Sequence, residues 1–337
     1  MKPVALYRLA FLMTLGLGPN PQALAQAFDE PKPEVRPFRN KEVERAAKAA
    51  PVDAHGHSHG QGHAHGDDAH GVETESLFGF TLGSSTEPAG TREVAFETVA
   101  RFGKRGANYS AVGQKLEFAY GVTDRFTLAL GLLGDYHRVT EKPAFSGTVE
   151  EVRPRYIFNG FGGEIRYNFL ERTSSPFGMT LHLEPSLAFS DEASGLRGRK
   201  YGSENKLIFD REIIKDTFFA AFNLTHEMEV TKEKGAAGWE RGSVVGASVA
   251  GTFQVATNIF LGAETRYLRA YDGLRLGTYK GDAWYVGPTL SLFTDSHRFV
   301  TFAYSGLIGG KEKGSSSRLN LVDFERHQIR LKAGFTF

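Results

Sequence analysis

The chain of 337 residues has no cysteine. That excludes disulfides, thiolate metal sites and cysteine nucleophiles together. It also lacks an excess of either charge, with 40 Lys+Arg against 39 Asp+Glu. No net basic face is available to neutralise phosphates, so no nucleic-acid partner is expected. Long apolar runs are missing as well. Beyond the N-terminal segment the longest is Phe126 to Gly134, nine residues, whereas a membrane-spanning helix needs about 20. What the chain has in quantity is glycine, 39 residues, and phenylalanine, 27.

Met1 to Ala27 reads as a secretory signal. Lys2 and Arg8 supply a positive start, Leu9 to Leu17 a short apolar core, and Ala23-Leu24-Ala25 a small-residue cleavage site. Residues 1–25 are therefore expected to be removed, with Ala25-Gln26-Ala27 as an alternative cut. Residues 26–76 carry prolines at 31, 33, 37 and 51, a charged Ala-rich stretch from Asn40 to Ala50, and a His/Gly tract. Little in this segment could bury a core, and it is expected to be a disordered arm.

From Arg92 the pattern changes to period two. Val94, Phe96, Thr98, Ala100 and Phe102 oppose Glu93, Ala95, Glu97, Val99 and Arg101; Leu128, Leu130 and Leu132 oppose a polar face; Ile329, Leu331, Ala333, Phe335 and Phe337 oppose Arg330, Lys332 and Thr336. The alternation predicts strands over 92–102, 109–120, 125–137, 155–169, 178–190, 204–214, 217–229, 241–256, 258–270, 282–293, 298–309 and 318–337. Twelve is an even number, the strands are long, and tight connections alternate with longer polar ones. Aromatic residues gather at strand ends, among them Tyr120, Tyr136, Tyr156, Tyr167, Phe169, Trp284 and Tyr285. These features predict an all-β fold, a twelve-stranded antiparallel transmembrane barrel of the outer membrane of a Gram-negative bacterium, over residues 77–337 with the arm in the periplasm. Leu77 to Thr86 alternates only weakly and is open between a short strand and an inward-folded plug.

The final segment, Ile329 to Phe337, resembles the C-terminal assembly signal of outer-membrane barrels, with a terminal Phe and apolar residues at every second position. It implies the barrel assembly machinery and outer-membrane lipids as partners. The runs Thr91 to Glu97, Leu116 to Leu130, Leu183-Glu-Pro-Ser186 and Tyr285-Val-Gly-Pro-Thr-Leu290 resemble a family of bacterial outer-membrane barrels catalogued only as a domain of unknown function. The resemblance covers about Leu77 to the C-terminus and brings no activity with it.

The one chemically conspicuous motif is the tract His55, His57, His59, His63, His65 and His70, interleaved with Gly and flanked by Asp53, Asp67 and Asp68. Neutral imidazoles on a Gly-spaced backbone suit Zn, Cu, Ni or Co, with affinity following ligand chemistry rather than a fixed cavity. These six residues are the predicted metal ligands; no required cofactor is expected. Predicted lumenal residues are Glu93, Glu97, Arg101, Lys115, Glu117, Arg125, Glu164, Arg166, His182, Glu184, Glu227, Glu264, Arg266, Arg330 and Lys332, read either as an ion-pair ladder or as the lining of a narrow pore. His226 and Ser243 are the only sequence hint of a surface lipid hydrolase, without a third group to orient the base. His137, His297 and His327 are expected to be solvated. The leading expectation is a narrow channel or metal-linked passage protein, not an enzyme. The alternative is a non-conducting barrel with a metal-buffering arm.

Overall fold

In a computed structural model the described residues are 72–145, 151–295 and 297–337. The signal segment and the six histidines of the tract lie outside them.

Twelve strands run in chain order: β1 (Arg92–Phe102), β2 (Ala107–Thr123), β3 (Phe126–Glu141), β4 (Val152–Leu170), β5 (Gly178–Ser190), β6 (Arg197–Ile214), β7 (Phe218–Glu233), β8 (Glu240–Ala256), β9 (Ile259–Asp272), β10 (Thr278–Asp295), β11 (Arg298–Gly309) and β12 (His327–Thr336). Each is antiparallel to its sequence neighbours, and β1 pairs with β12 from Glu93↔Thr336 to Phe102↔His327, closing the barrel. Below that seam Arg92 and Phe337 exchange backbone hydrogen bonds of 3.1 and 2.8 Å. Closure gives every strand two partners, which is what allows a sheet to sit in hydrocarbon without unpaired N–H and C=O groups.

The period-two alternation puts apolar side chains outward. On β3, Leu128, Leu130 and Leu132 are exposed, and Leu130 is 74% accessible, while Thr127 and Ala129 of the opposite parity are buried inside. Such a surface is stable only when lipid covers it. Aromatic side chains form a belt near each end. At the end carrying the tight turns, Phe218 stacks on Phe253 with centroids 4.2 Å apart and Tyr167 meets Phe169 at 4.9 Å. At the end carrying the long loops, Tyr201 meets Trp239 at 5.9 Å and Tyr267 meets Trp284 at 6.3 Å. Tyr285 is not part of the girdle: it faces inward, is fully buried, and its hydroxyl donates to the Glu325 carbonyl at 2.5 Å.

Most strand ends differ from the predicted ones on the long-loop side. β3, β6, β7 and β10 run on to Glu141, back to Arg197, on to Glu233 and back to Thr278. These extensions stand clear of the apolar band, where both faces are polar and alternation no longer marks a strand. The opposite correction applies to the last strand, which starts at His327 instead of 318. Residues 310–326 fold back into the barrel mouth, where Leu319, Leu321 and Phe324 pack against Ala270, Ala283, Tyr285 and Leu307. Leu319 and Leu321, two positions apart as on a strand, are apolar because of that packing. Arg125 is also not lumenal: it sits in the β2–β3 turn, half exposed, with its Nε 3.2 Å from Glu171.

The segment before β1 is the plug rather than a strand. It enters the lumen at the tight-turn end, where Leu77 and Phe78 bury completely against Phe219, Ala221, Ala250 and Phe260, with Val72 and Phe293 alongside. Packing begins by Val72, inside the stretch assigned to the arm.

Candidate functional site: a plugged, charge-lined lumen

The plug has no regular secondary structure, so its backbone polar groups must be satisfied by the barrel wall. Glu264 of β9 accepts from the backbone N–H groups of Phe80 and Thr81 at 3.0 and 2.9 Å. Asn223 of β7 holds Leu82 from both sides, accepting from its N–H at 2.8 Å and donating to its carbonyl at 2.9 Å. Asp210 of β6 accepts from the N–H and hydroxyl of Ser84 at 3.0 and 2.6 Å. Arg166 of β4 donates to the carbonyls of Gly83 and Ser85 at 2.7 and 2.8 Å, and Asn168 donates to that of Ser84 at 2.9 Å. Ser291 of β10, Thr301 of β11 and Arg330 of β12 donate to the carbonyls of Leu77, Ser76 and Gly79. Side chains from seven strands thus replace the ladder that the segment lacks.

Charge completes the attachment. Glu75 lies between Lys332 at 3.0 Å and Arg166 at 3.5 Å. The same cations continue into the wall: Lys332 faces Glu93 at 4.0 Å, Arg166 faces Glu164 at 3.8 Å, and Arg330 faces Glu97 at 2.7 Å. Lys115 bridges Glu117 and Glu184, each at 2.8 Å. Every predicted lumenal residue except Arg125 is buried or half-buried on the inner face. The structure adds Glu204 and Lys206, an ion pair on β6, to that lining.

Three of these residues, Glu164, His182 and Glu184, bring one potential ligand atom each within 4.8 Å of one another. His182 Nε2 is 3.2 Å from Glu164 and 3.8 Å from Glu184. Lys115 and Arg166 already supply cations to the same carboxylates, so the cluster is balanced as it stands. We read it as the middle of the ladder.

The long-loop end is narrowed by two inward elements. Residues 191–196 place Glu192 against Arg101, with His137 Nε2 at 2.9 Å and the Tyr109 hydroxyl at 3.2 Å from the Glu192 carbonyl. Arg101 beside it holds the Glu192 carboxyl below the usual carboxylate range. Residues 310–326 place Glu325 against Lys104 at 3.2 Å and Gln328 at 3.1 Å. His137 is therefore buried, not solvated. His327 stacks on Tyr304 with Nδ1 2.7 Å from its hydroxyl, and His297, exposed in the β10–β11 turn, has its Nδ1 3.3 Å from the Thr336 hydroxyl.

His226 and Ser243 form no dyad. Ser243 donates its hydroxyl to the Gly273 carbonyl at 2.6 Å, and His226 Nε2 has no hydrogen-bond partner among the described residues.

Glu87, outside the strands at the tight-turn mouth, reports on the plug. Burial, reinforced by the neighbouring Glu75 carboxylate, raises its pKa to about 7, against smaller opposing pulls from Thr91, Lys332 and Arg166. A carboxyl with a higher pKa in the docked state binds extra protons there, so docking is favoured in acid and weakens as pH rises through about 7. Protease sensitivity of the plug should accordingly increase between about pH 5 and 8, and Glu87→Gln should flatten that rise. An unchanged profile in the variant would assign the pH dependence elsewhere.

No curated protein matches the chain. Among solved structures, an outer membrane channel from Pseudomonas putida F1 is 12% identical with a TM-score of 0.48, covering 75% of this chain and 98% of that one. The NanC porin is 11% identical with a TM-score of 0.40, covering 72% and 98%. LpxR from Salmonella typhimurium is 9% identical with a TM-score of 0.40, covering 73% and 100%. Likenesses of this degree assign no role. The sequence family is another matter: its model spans the plug and all twelve strands, residues 70–337, and the chain belongs to DUF6662, a family of unknown function.

Proposed function

We propose that this protein is a passage barrel of the outer membrane that rests closed, with its tight turns and N-terminal segment on the periplasmic side. The observation that carries this reading is the chemistry of the plug's attachment. Apart from the apolar contacts of Val72, Leu77 and Phe78 and the stacking of Phe80 under Arg266, it is held by hydrogen bonds and ion pairs to a polar wall. Water can replace such bonds one for one, each at a net cost of about 0.5–1.5 kcal/mol, and that makes the plug removable in a way an apolar core is not. Behind it the wall carries the ion-pair ladder, as far as the apolar cluster around Tyr285 and Leu307 at the long-loop mouth. Twelve strands enclose a lumen between the side-chain-filled barrel of about eight and the open porin of about 16.

The lining favours cations. The inward strand carboxylates Glu93, Glu97, Glu117, Asp135, Glu164, Glu184, Glu204, Asp210, Glu227, Glu229 and Glu264 outnumber the permanent cations Arg101, Lys115, Arg166, Lys200, Lys206, Arg266, Arg330 and Lys332. The histidine tract, His55 to His70, immediately precedes the plug in sequence. Its ligand chemistry supports capture of Cu(II), Ni(II), Co(II) or Zn(II) by the segment that leads into the plug, with binding weaker below about pH 6 as imidazoles protonate.

The test is conductance of the refolded full chain in planar bilayers, beside a variant lacking Val72 to Thr86 and one lacking Asp53 to Gly71. Folding of each is checked by heat-modifiable mobility in gels. The plug deletion should conduct steadily and prefer cations, and the intact chain should be mostly closed. Metal on the arm's side should alter the intact chain but not the tract deletion. A silent, folded plug deletion would instead make this a non-conducting barrel with a packed ion-pair core.

A further inference from the structure

On the outside of β6, β7 and β8, above the aromatic belt, the charges are arranged unlike those of the lumen. Tyr201, Val230 and Arg241 are register partners in one outward row. In the next row Arg199 stands directly opposite Lys232. Beyond that, the Lys234 N–H donates to the Arg197 carbonyl at 2.7 Å, setting those two residues side by side. The alternation turns nearby carboxylates the other way: Glu229 pairs with Lys200 at 2.7 Å, and Glu233 accepts from the Ser194 hydroxyl at 2.9 Å. Arg197, Arg199, Lys234 and Arg241 are exposed, and Lys232 is half-buried. Among the described residues none of these five cations is paired with a carboxylate, whereas Lys115, Arg166, Arg330 and Lys332 inside the barrel all are.

Like charges directly opposite on neighbouring strands repel. Five of them in three consecutive rows, without a counter-charge among the described residues, make a surface suited to an anion supplied from outside. The height of the cluster says which kind. It begins at the level of Tyr201 and Trp239, whose rings lie 5.9 Å apart, and aromatic residues of that belt sit at the level of lipid headgroups. Three of the five are arginines, whose planar forks match phosphate oxygens two at a time.

We propose that this cluster binds the phosphate groups of a phosphorylated glycolipid of the outer leaflet. The inference rests on the orientation proposed above, which puts the long-loop end outside the cell. The acyl chains would lie along the apolar surface below, beside Leu224 and Val249, both exposed on the same strands.

The test is native mass spectrometry of the full-length refolded barrel in detergent with bis-phosphorylated lipid A, with its dephosphorylated form, and with inorganic phosphate. The expected result is retention of lipid A by the barrel, little retention of the dephosphorylated form, no competition from millimolar phosphate, and at least tenfold weaker retention by a folded R199Q/K232Q/R241Q variant. Equal retention by that variant, or of the dephosphorylated lipid, would overturn the site. Displacement by inorganic phosphate would reduce it to a free-anion site and overturn the lipid assignment. Orientation is read separately, because the chain has no cysteine. A membrane-impermeant maleimide on intact cells should label Gly238→Cys and not Asp216→Cys. The reverse pattern overturns both the orientation and the glycolipid, while loss of lipid retention with the expected labelling sinks the cluster alone.

Discussion

Replacing Gly79 by valine is expected to drive the plug from the lumen and turn a mostly closed barrel into a conducting one. A β-carbon built at this position would stand 2.7 Å from the Ala303 Cβ, 2.7 Å from the Thr289 Cγ2 and 2.8 Å from the Glu264 Oε1. The Ala303 and Thr289 atoms are fixed on adjacent strands of a closed sheet, and Glu264 could swing away only by giving up its hydrogen bonds to Phe80 and Thr81. Overpacking of this kind costs about 1–3 kcal/mol, which moves the balance between docked and undocked plug by about 5- to 150-fold. Because the plug has somewhere else to go, the strain should appear as undocking rather than as loss of the barrel. Bilayer recordings check this, with Gly238→Val as the control, since no atom lies within 4 Å of a β-carbon there. A closed, folded Gly79→Val barrel would mean that the plug is held by more than its fit.

Arg166→Met is expected to be the most damaging single substitution in the lumen. The guanidinium is completely buried, donates to two plug carbonyls at 2.7 and 2.8 Å, and is flanked by Glu75 and Glu164. Methionine fills a comparable volume but leaves both carboxylates short of a cation and both carbonyls without donors. Breaking a buried pair from one side costs about 3–5 kcal/mol. Protease nicking of residues 72–90 and denaturant unfolding of the barrel should separate the two ways of relieving that cost. Early nicking with an unchanged barrel midpoint shows that the plug leaves and water enters. A lowered midpoint shows that Arg166 holds the wall itself. A variant with neither change would remove Arg166 from the account of plug attachment.

The barrel was legible because lipid on one side and a polar lumen on the other impose the same alternation on every strand. β1, β5 and β11 match their predicted limits to the residue. Legibility ended where that two-sided constraint ends. The hairpins that project past the apolar band have polar residues on both faces, and 310–326 imitates a strand because Leu319, Leu321 and Phe324 are drawn into the barrel mouth. Charged lumenal positions could be read from parity, but their partners could not. Glu264 meets Phe80 and Thr81 across more than 180 positions of sequence, and Asn223 and Asp210 look like ordinary strand residues until the path of the plug is known. Nothing in the local sequence marks Gly79 as the place where the plug touches the wall.

The seam has a consequence for the order in which this molecule matures. The plug precedes β1 in the chain, yet its anchors Arg330 and Lys332 belong to the final strand, and Thr301 to the one before it. The first described segment of the polypeptide therefore cannot settle until the last has been zipped to β1. Contacts of such long range form late. A half-assembled barrel would keep its tight-turn mouth empty, and the seating of the plug would mark completion of the sheet.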